Sequence, residues 1–251
     1  MKIMFALLKR EILEHSSIWK VPLIMLVISG LIKLSFSAGN LSVNINTPDF
    51  LNLDSSVDSA IDEVLIRSMW LVNGLITFVM IVVSAFYALS CLYAERQDQS
   101  VLFWRSLPIS DAMTVVSKLI IALLVVPLMI IVSHVVVSMV FLGVQSIAYL
   151  QQSIPISVIS TVKIVVWLLL PLVAWCIFCS GVAKKGPFLL AFVAPIVLVA
   201  IDKLFFELGI SHLIIDRFYP SNHDSTLLLL SGLGLSVICI YLATVKRSQR
   251  I

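Results

Sequence analysis

Six long apolar runs constrain the fold of this chain more than any other feature. They occupy residues 21–36, 69–93, 115–142, 162–182, 187–206 and 226–245. Each approaches or exceeds the ~20 residues that an α-helix needs to cross a bilayer. Charged residues make up only 12% of the chain, against about 25% in an ordinary soluble domain. The sequence therefore predicts an all-α, polytopic membrane protein with six transmembrane helices, forming one transmembrane domain over residues 1–251.

The distribution of lysine and arginine predicts the orientation of these helices. With the N-terminus in the cytoplasm, 12 of the 17 basic residues fall on the inner side and five on the outer side. The acids are distributed in the opposite way, so the inner side carries a net charge of about +7 and the outer side about −4. The positive-inside rule places the side with the excess of lysine and arginine in the cytoplasm. We therefore expect both termini in the cytoplasm and the chain in a bacterial inner (cytoplasmic) membrane.

Three segments outside the apolar runs have recognisable patterns. Residues 1–18 predict an amphipathic helix lying along the membrane interface, which either only anchors the topology or also touches a cytoplasmic partner. Residues 37–68 form the longest extracytoplasmic segment, and helical spacing of its apolar residues predicts a short acidic helix leading into the second span. Residues 207–225 are mixed in character and are expected at the outer surface.

The loop between the second and third spans predicts a short helix over residues 95–108. Asp98 can cap it, Pro108 ends it, and Ser110 or Asp111 can cap the helix that follows. Its aromatic and aliphatic side chains suit either docking onto a partner protein or resting on lipid. The candidate docking residues are Glu95, Arg96, Asp98, Val101, Leu102, Phe103, Trp104, Arg105, Leu107 and Pro108.

A few polar residues within the spans are candidates for a pathway or gate. His134 lies near the middle of the third span, where it either bonds to a neighbouring helix or takes part in transport. Asp202 and Lys203 lie near the outer end of the fifth span and either reach interface water or gate an exit. Cys176 and Cys179 form a C-x-x-C inside an apolar run without partner histidines, which favours plain packing, so we expect no metal site.

Several classes of function lack the residues they need. No H-E-x-x-H or G-x-S-x-G motif and no pair of carboxylates occurs in the spans, which argues against a membrane enzyme and predicts no catalytic residue. A net charge of +3, scattered along the chain, argues against nucleic-acid binding. A secondary transporter, which would usually carry buried charges or broken helices at mid-membrane, and a non-transporting assembly or sensor protein remain as alternatives.

The segment ERQDQSVLFWRSLPISDAMTVVSK, residues 95–118, resembles permease subunits of ABC exporters of the ABC-2 type. In that family a charged turn ends the second span, and a short coupling helix follows. A Leu-Pro-(Val/Ile)-Ser step and a lysine at the start of the third span come next. The matching positions here are Glu95-Arg96, residues 101–106, residues 107–110 and Lys118. Six spans, an N-terminal amphipathic helix and cytoplasmic termini are also shared with the family.

This resemblance implies a permease that works with separate ATPase subunits. Two permease chains, identical or different, would form the translocation path, with the second and fifth spans lining it. Two ABC ATPase subunits would bind ATP and Mg²⁺ and push on residues 95–108, since this chain has no G-x-x-x-x-G-K-[ST] phosphate loop and is not expected to be an enzyme. The direction would be export, with a drug, a peptide, a lipid or an ion as the substrate.

Overall fold

The computed structural model describes residues 2–37, 53–98, 110–143, 146–183, 186–206 and 225–249. These residues are almost entirely helical, and no strand occurs among them. The α-helices are α1 (Lys2–Glu14), α2 (Ser17–Ser37), α3 (Leu53–Gln97), α4 (Asp111–Ile120), α5 (Val126–Leu142), α6 (Ser146–Ile164), α7 (Leu170–Val182), α8 (Pro187–Ile201) and α9 (Ser225–Gln249).

Six helical segments within the described residues are long and apolar enough to cross a membrane. They are Ser17–Ser35, Ile66–Gln97, Asp111–Leu142, Ile154–Val182, Pro187–Leu204 and Leu228–Lys246. Each overlaps one of the six runs predicted from the sequence, so the prediction of six helices long and apolar enough to cross a membrane is confirmed. The segment 95–108 is described only as far as residue 98, and residues 207–224 lie outside the described part.

Two helices extend further than the apolar pattern indicated. α3 is one continuous helix of 45 residues, so the short acidic helix expected before the second span is part of the span's own helix. α6 begins at Ser146, well before the apolar run at 162, and contains Pro155. Hydrophobicity marks the part of a helix that suits a bilayer, whereas backbone hydrogen bonding continues into more polar sequence.

Prolines in the third and fourth spans are accommodated by π-helical turns. The π turn Ile121–Val125 precedes Pro127, and the π turn Val165–Leu169 precedes Pro171. In each turn a backbone N–H donates to the carbonyl five residues earlier, from Val126 to Ile121 in the first case. A proline has no N–H, and its ring crowds the carbonyl four residues back, so a local widening of the helix relieves the clash.

Contacts divide the chain into two compact units. The first contains Met1–Ser16, Ile81–Pro127 and Val162–Ile251, and the second contains Ser17–Met80 and Leu128–Thr161. In the first unit α1 packs on α4, and α7 packs along α9. The α7–α9 contact is built from small side chains such as Gly181 and Ala243, which let two helix backbones approach closely.

Candidate functional site

The structure describes three of the ten candidate docking residues. Glu95 and Arg96 lie in the last turn of α3, and Asp98 follows directly after that helix. The other seven, Val101, Leu102, Phe103, Trp104, Arg105, Leu107 and Pro108, lie outside the described residues. The connection resumes at Ser110, whose hydroxyl accepts a hydrogen bond from the backbone of Met113, as predicted for the cap of α4. The site can therefore be built from the two ends of this connection.

A buried ion cluster joins both ends of the connection to the N-terminal helix. The Lys118 ammonium on α4 lies 2.6 Å from Oε1 of Glu11 on α1 and 3.0 Å from Oε1 of Glu95 on α3. The side chain of Lys118 is 1% exposed, and those of Glu11 and Glu95 are each 3% exposed. The Lys118 cation on α4 thus lies between two carboxylates, one from α1 and one from α3.

Two aromatic groups complete the surroundings of Glu11. The Tyr87 hydroxyl on α3 donates to Glu11 Oε2 at 3.1 Å. The imidazole of His15 packs edge-on against the Tyr87 ring at a centroid distance of 4.8 Å, and its Nε2 lies 3.8 Å from Glu11 Oε2. Burial lowers the pKa of His15, and the attraction of Glu11 opposes this only in part. The histidine is therefore disposed to remain neutral beside the ion cluster.

The position of each member follows from helical spacing. Leu7 and Glu11 are four residues apart on one face of α1, that face packs on α4, and His15 follows directly after the helix, four residues from Glu11. Lys118 lies on the buried side of α4 with Thr114, Val115 and Ser117. Neither a carboxylate nor an ammonium is stable in a dry interior without a partner. The three helix ends consequently hold one another in register.

A second joint connects the end of α3 to the end of α7. The Arg96 guanidinium donates to the backbone carbonyl of Ser180. The Ser180 hydroxyl accepts from the backbone N–H groups of Leu92, at 3.2 Å, and Tyr93, at 3.0 Å. Ser180 is fully buried. Adjacent residues of α3 therefore reach different neighbours: Glu95 binds α4, and Arg96 binds α7.

His134 is the centre of a polar cluster in the second unit. Its Nε2 lies 3.0 Å from Thr77 Oγ1 and 3.2 Å from the Asn73 carbonyl, both on α3, while its Nδ1 lies 3.2 Å from Ser157 Oγ on α6. The imidazole thus links three helices. This geometry fits the interpretation of a histidine bonded to neighbouring helices, and its role in transport stays a prediction.

Asp202 and Lys203 have different surroundings despite their adjacency. Asp202 is buried, and Lys203 is exposed, in the π turn Asp202–Phe206 that follows α8. The two do not form a single exposed charge pair, and a gating role for either stays a prediction. Cys176 and Cys179 are buried free thiols. Among the described residues no group of three or more His, Cys, Asp or Glu side chains could hold a metal ion.

The sequence pattern assigns no partner to Lys118. It predicts this lysine at the start of the third span but indicates no role for Glu11, Tyr87, His15 or Ser180. A signal for Glu11 is present in the sequence, because an acid four residues after Leu7 interrupts the apolar face of an amphipathic helix. Ser180 carries no such signal, since serine is common wherever transmembrane helices pack closely.

Comparison of the chain with protein-family models, with characterised proteins and with solved structures found no match.

Proposed function

We propose that this chain is the membrane-spanning permease subunit of an ATP-driven exporter of the ABC-2 type. It would work as a dimer with a second permease chain in the bacterial inner membrane, with both termini in the cytoplasm. Two separate ATPase subunits would bind ATP and Mg²⁺ and contact residues 95–108. The proposal rests on the resemblance of residues 95–118 to that family and on the geometry of the ion cluster.

The ion cluster is the observation that supports a coupling role most directly. A segment that receives a push from an ATPase must be attached firmly to the helices it moves. Here Glu95 and Lys118 flank the proposed coupling segment. They form an ion pair with each other in a buried site, and Lys118 also forms an ion pair with Glu11. A displacement of the segment would therefore move α1, the end of the second span and the start of the third span together.

The uneven packing of the spans is consistent with a partner in the membrane. Within this chain only 11% of the fifth span's apolar window is buried, compared with 44% for the second span. Side chains on nearly all sides of α8 are exposed, including Phe188, Leu189 and Ile196. A second permease chain packed on these surfaces would complete the translocation path that the resemblance places at the second and fifth spans.

Association with an ATPase tests the proposal. The permease is tagged and purified from cells that express it with an ATPase carrying a phosphate loop and encoded next to it. Replacement of Leu102, Phe103 and Arg105 with Asp removes apolar contacts and reverses a charge on the proposed docking surface. We expect the ATPase to co-purify with the parent chain and to be lost from this triple variant.

A matched control uses the same residue types on the opposite side of the membrane. Leu213, Arg217 and Phe218 lie in the segment 207–225, which is predicted to be extracytoplasmic, and their replacement with Asp should leave the ATPase bound. The proposal is wrong if no such ATPase co-purifies with the parent chain, or if it remains bound to the triple variant of residues 102, 103 and 105.

A further inference from the structure

The end of α7 is attached to α3 by contacts that the coupling role described above does not require. Ser180 lies three residues before the helix C-cap, Ala183. The last four carbonyls of a helix have no partner within it. In α7 the first of them, that of Cys179, accepts a hydrogen bond from the Ala183 N–H. The Arg96 guanidinium satisfies the next carbonyl, that of Ser180. A cation at this position is also favoured by the negative end of the helix dipole.

The Ser180 side chain strengthens the same attachment. Its hydroxyl accepts from two consecutive backbone N–H groups of α3, those of Leu92 and Tyr93. The helices also lie close together at the neighbouring Gly181, where a Cβ would make ordinary contacts, 3.8 Å from Leu92 Cδ1 and 3.9 Å from the Ala243 Cα. Each contact between the ends of α3 and α7 thus pairs a side chain of one helix with backbone groups of the other, and a rotamer change of Ser180 would leave the contact of Arg96 in place.

We infer that Arg96 and Ser180 form a joint that carries movement of the coupling segment into the fourth span. Arg96 directly follows Glu95, which the ion cluster holds to the other end of that segment. A displacement of the end of α3 by the ATPase therefore moves the last turn of α7 as well as α1 and α4. Arg96 and Ser180 are positioning residues in this scheme. The inference rests on the proposed function, since it presupposes an ATPase that moves residues 95–108.

The test follows the end of α7 in the complex of the permease with its co-purified ATPase. Val182→Cys places a thiol in the last turn of α7. The four native cysteines are buried, and the chain without this substitution provides the background. The rate of maleimide labelling at position 182 is measured without nucleotide and with ATP, Mg²⁺ and orthovanadate. A coupling of ordinary strength predicts that the rate differs about fivefold or more between the two states.

Variants of Arg96 distinguish transmission from simple support of the fold. In complexes that retain the ATPase, Arg96→Gln should remove the nucleotide dependence of labelling, whereas Arg96→Lys retains a cation for the Ser180 carbonyl and should restore it. Arg67→Gln, an exposed arginine at the other end of the same span, is the matched control and should respond as the parent does. If Arg96→Gln fails to assemble, Ser180→Ala takes its place and should weaken the response.

Each result separates the two ideas. Absence of an ATPase from the purified parent chain overturns the proposed function together with the joint. An ATPase that co-purifies while labelling at position 182 ignores nucleotide in the parent overturns the joint alone. The joint alone is also overturned if the Arg96→Gln complex assembles and retains the full nucleotide response. The same holds for the Ser180→Ala complex where that variant replaces Arg96→Gln.

Discussion

Lys118 shows how much a single buried charge can depend on its neighbours. Its ammonium neutralises one of two neighbouring carboxylates, and all three side chains are excluded from solvent. Loss of one partner from a buried ion pair costs about 3–5 kcal/mol, because the charge left behind has lost its solvation and its counter-ion. The main stabilising role of Lys118 is therefore to prevent the two buried carboxylates from being left without a counter-ion.

Lys118→Met should accordingly reduce the free energy of unfolding by about 3–5 kcal/mol. Thermal unfolding of the detergent-solubilised protein, followed by fluorescence, measures the change. Lys163→Met is the control, because Lys163 lies on an exposed part of α6 and its replacement should have a small effect. Adding Glu11→Gln and Glu95→Gln to Lys118→Met should recover part of the loss, because the stranded charges are then removed. Equal stabilities of the two Lys→Met variants would contradict this account of the cluster.

At the scale of the helices, α7 packs closely against its neighbours at Gly181. A methyl group at this position would make only ordinary contacts with Leu92 and Ala243. A longer side chain would overlap α3 or α9 and separate the helix ends. Gly234, on α9, has nothing within 4 Å of its Cβ position and offers a comparison within the same packed pair.

Gly181→Ala should therefore be tolerated, whereas Gly181→Leu should destabilise the protein by about 1–3 kcal/mol, the usual cost of overpacking. Gly234→Leu should have little effect. The three variants are compared by thermal unfolding in the same detergent. A Gly181→Leu protein as stable as the Gly234→Leu protein would show that the ends of α7 and α9 separate without cost.

At the scale of the whole molecule, an even number of spans requires both termini on the same side of the membrane. The asymmetry of lysine and arginine predicts that this side is the cytoplasm. The ion cluster belongs to the same end, since it contains residues of α1 and the two ends of the connection between the second and third spans.

Reporter fusions test this orientation. Alkaline phosphatase, which is active only outside the cytoplasm, should be inactive when fused after residue 251 and active when inserted after residue 213. A fluorescent protein that folds in the cytoplasm should show the reverse pattern. Phosphatase activity at the C-terminus would contradict the charge-based orientation and would place residues 95–108 beyond the reach of a cytoplasmic ATPase.

The amino-acid sequence by itself determined the helical class and the six spans, because the length of an apolar run and the cost of unpaired backbone groups in lipid leave few alternatives. It also narrowed the cap of α4 to Ser110 or Asp111, since capping depends on residues close in the chain, and the structure shows that Ser110 is the cap. It did not reveal how far α3 and α6 extend, because polar sequence can continue a helix that an apolar run has begun.

Only the tertiary structure decided which polar residues meet. Lys118 and Glu11 are separated by 107 residues along the chain, and Ser180 lies 84 residues from Arg96. No local pattern specifies such pairs, because they depend on which helix faces pack together. The sequence indicated where the connection between the second and third spans lies, whereas the packing of α1, α4 and α7 decided that its two ends are bound to each other and to the ends of α1 and α7.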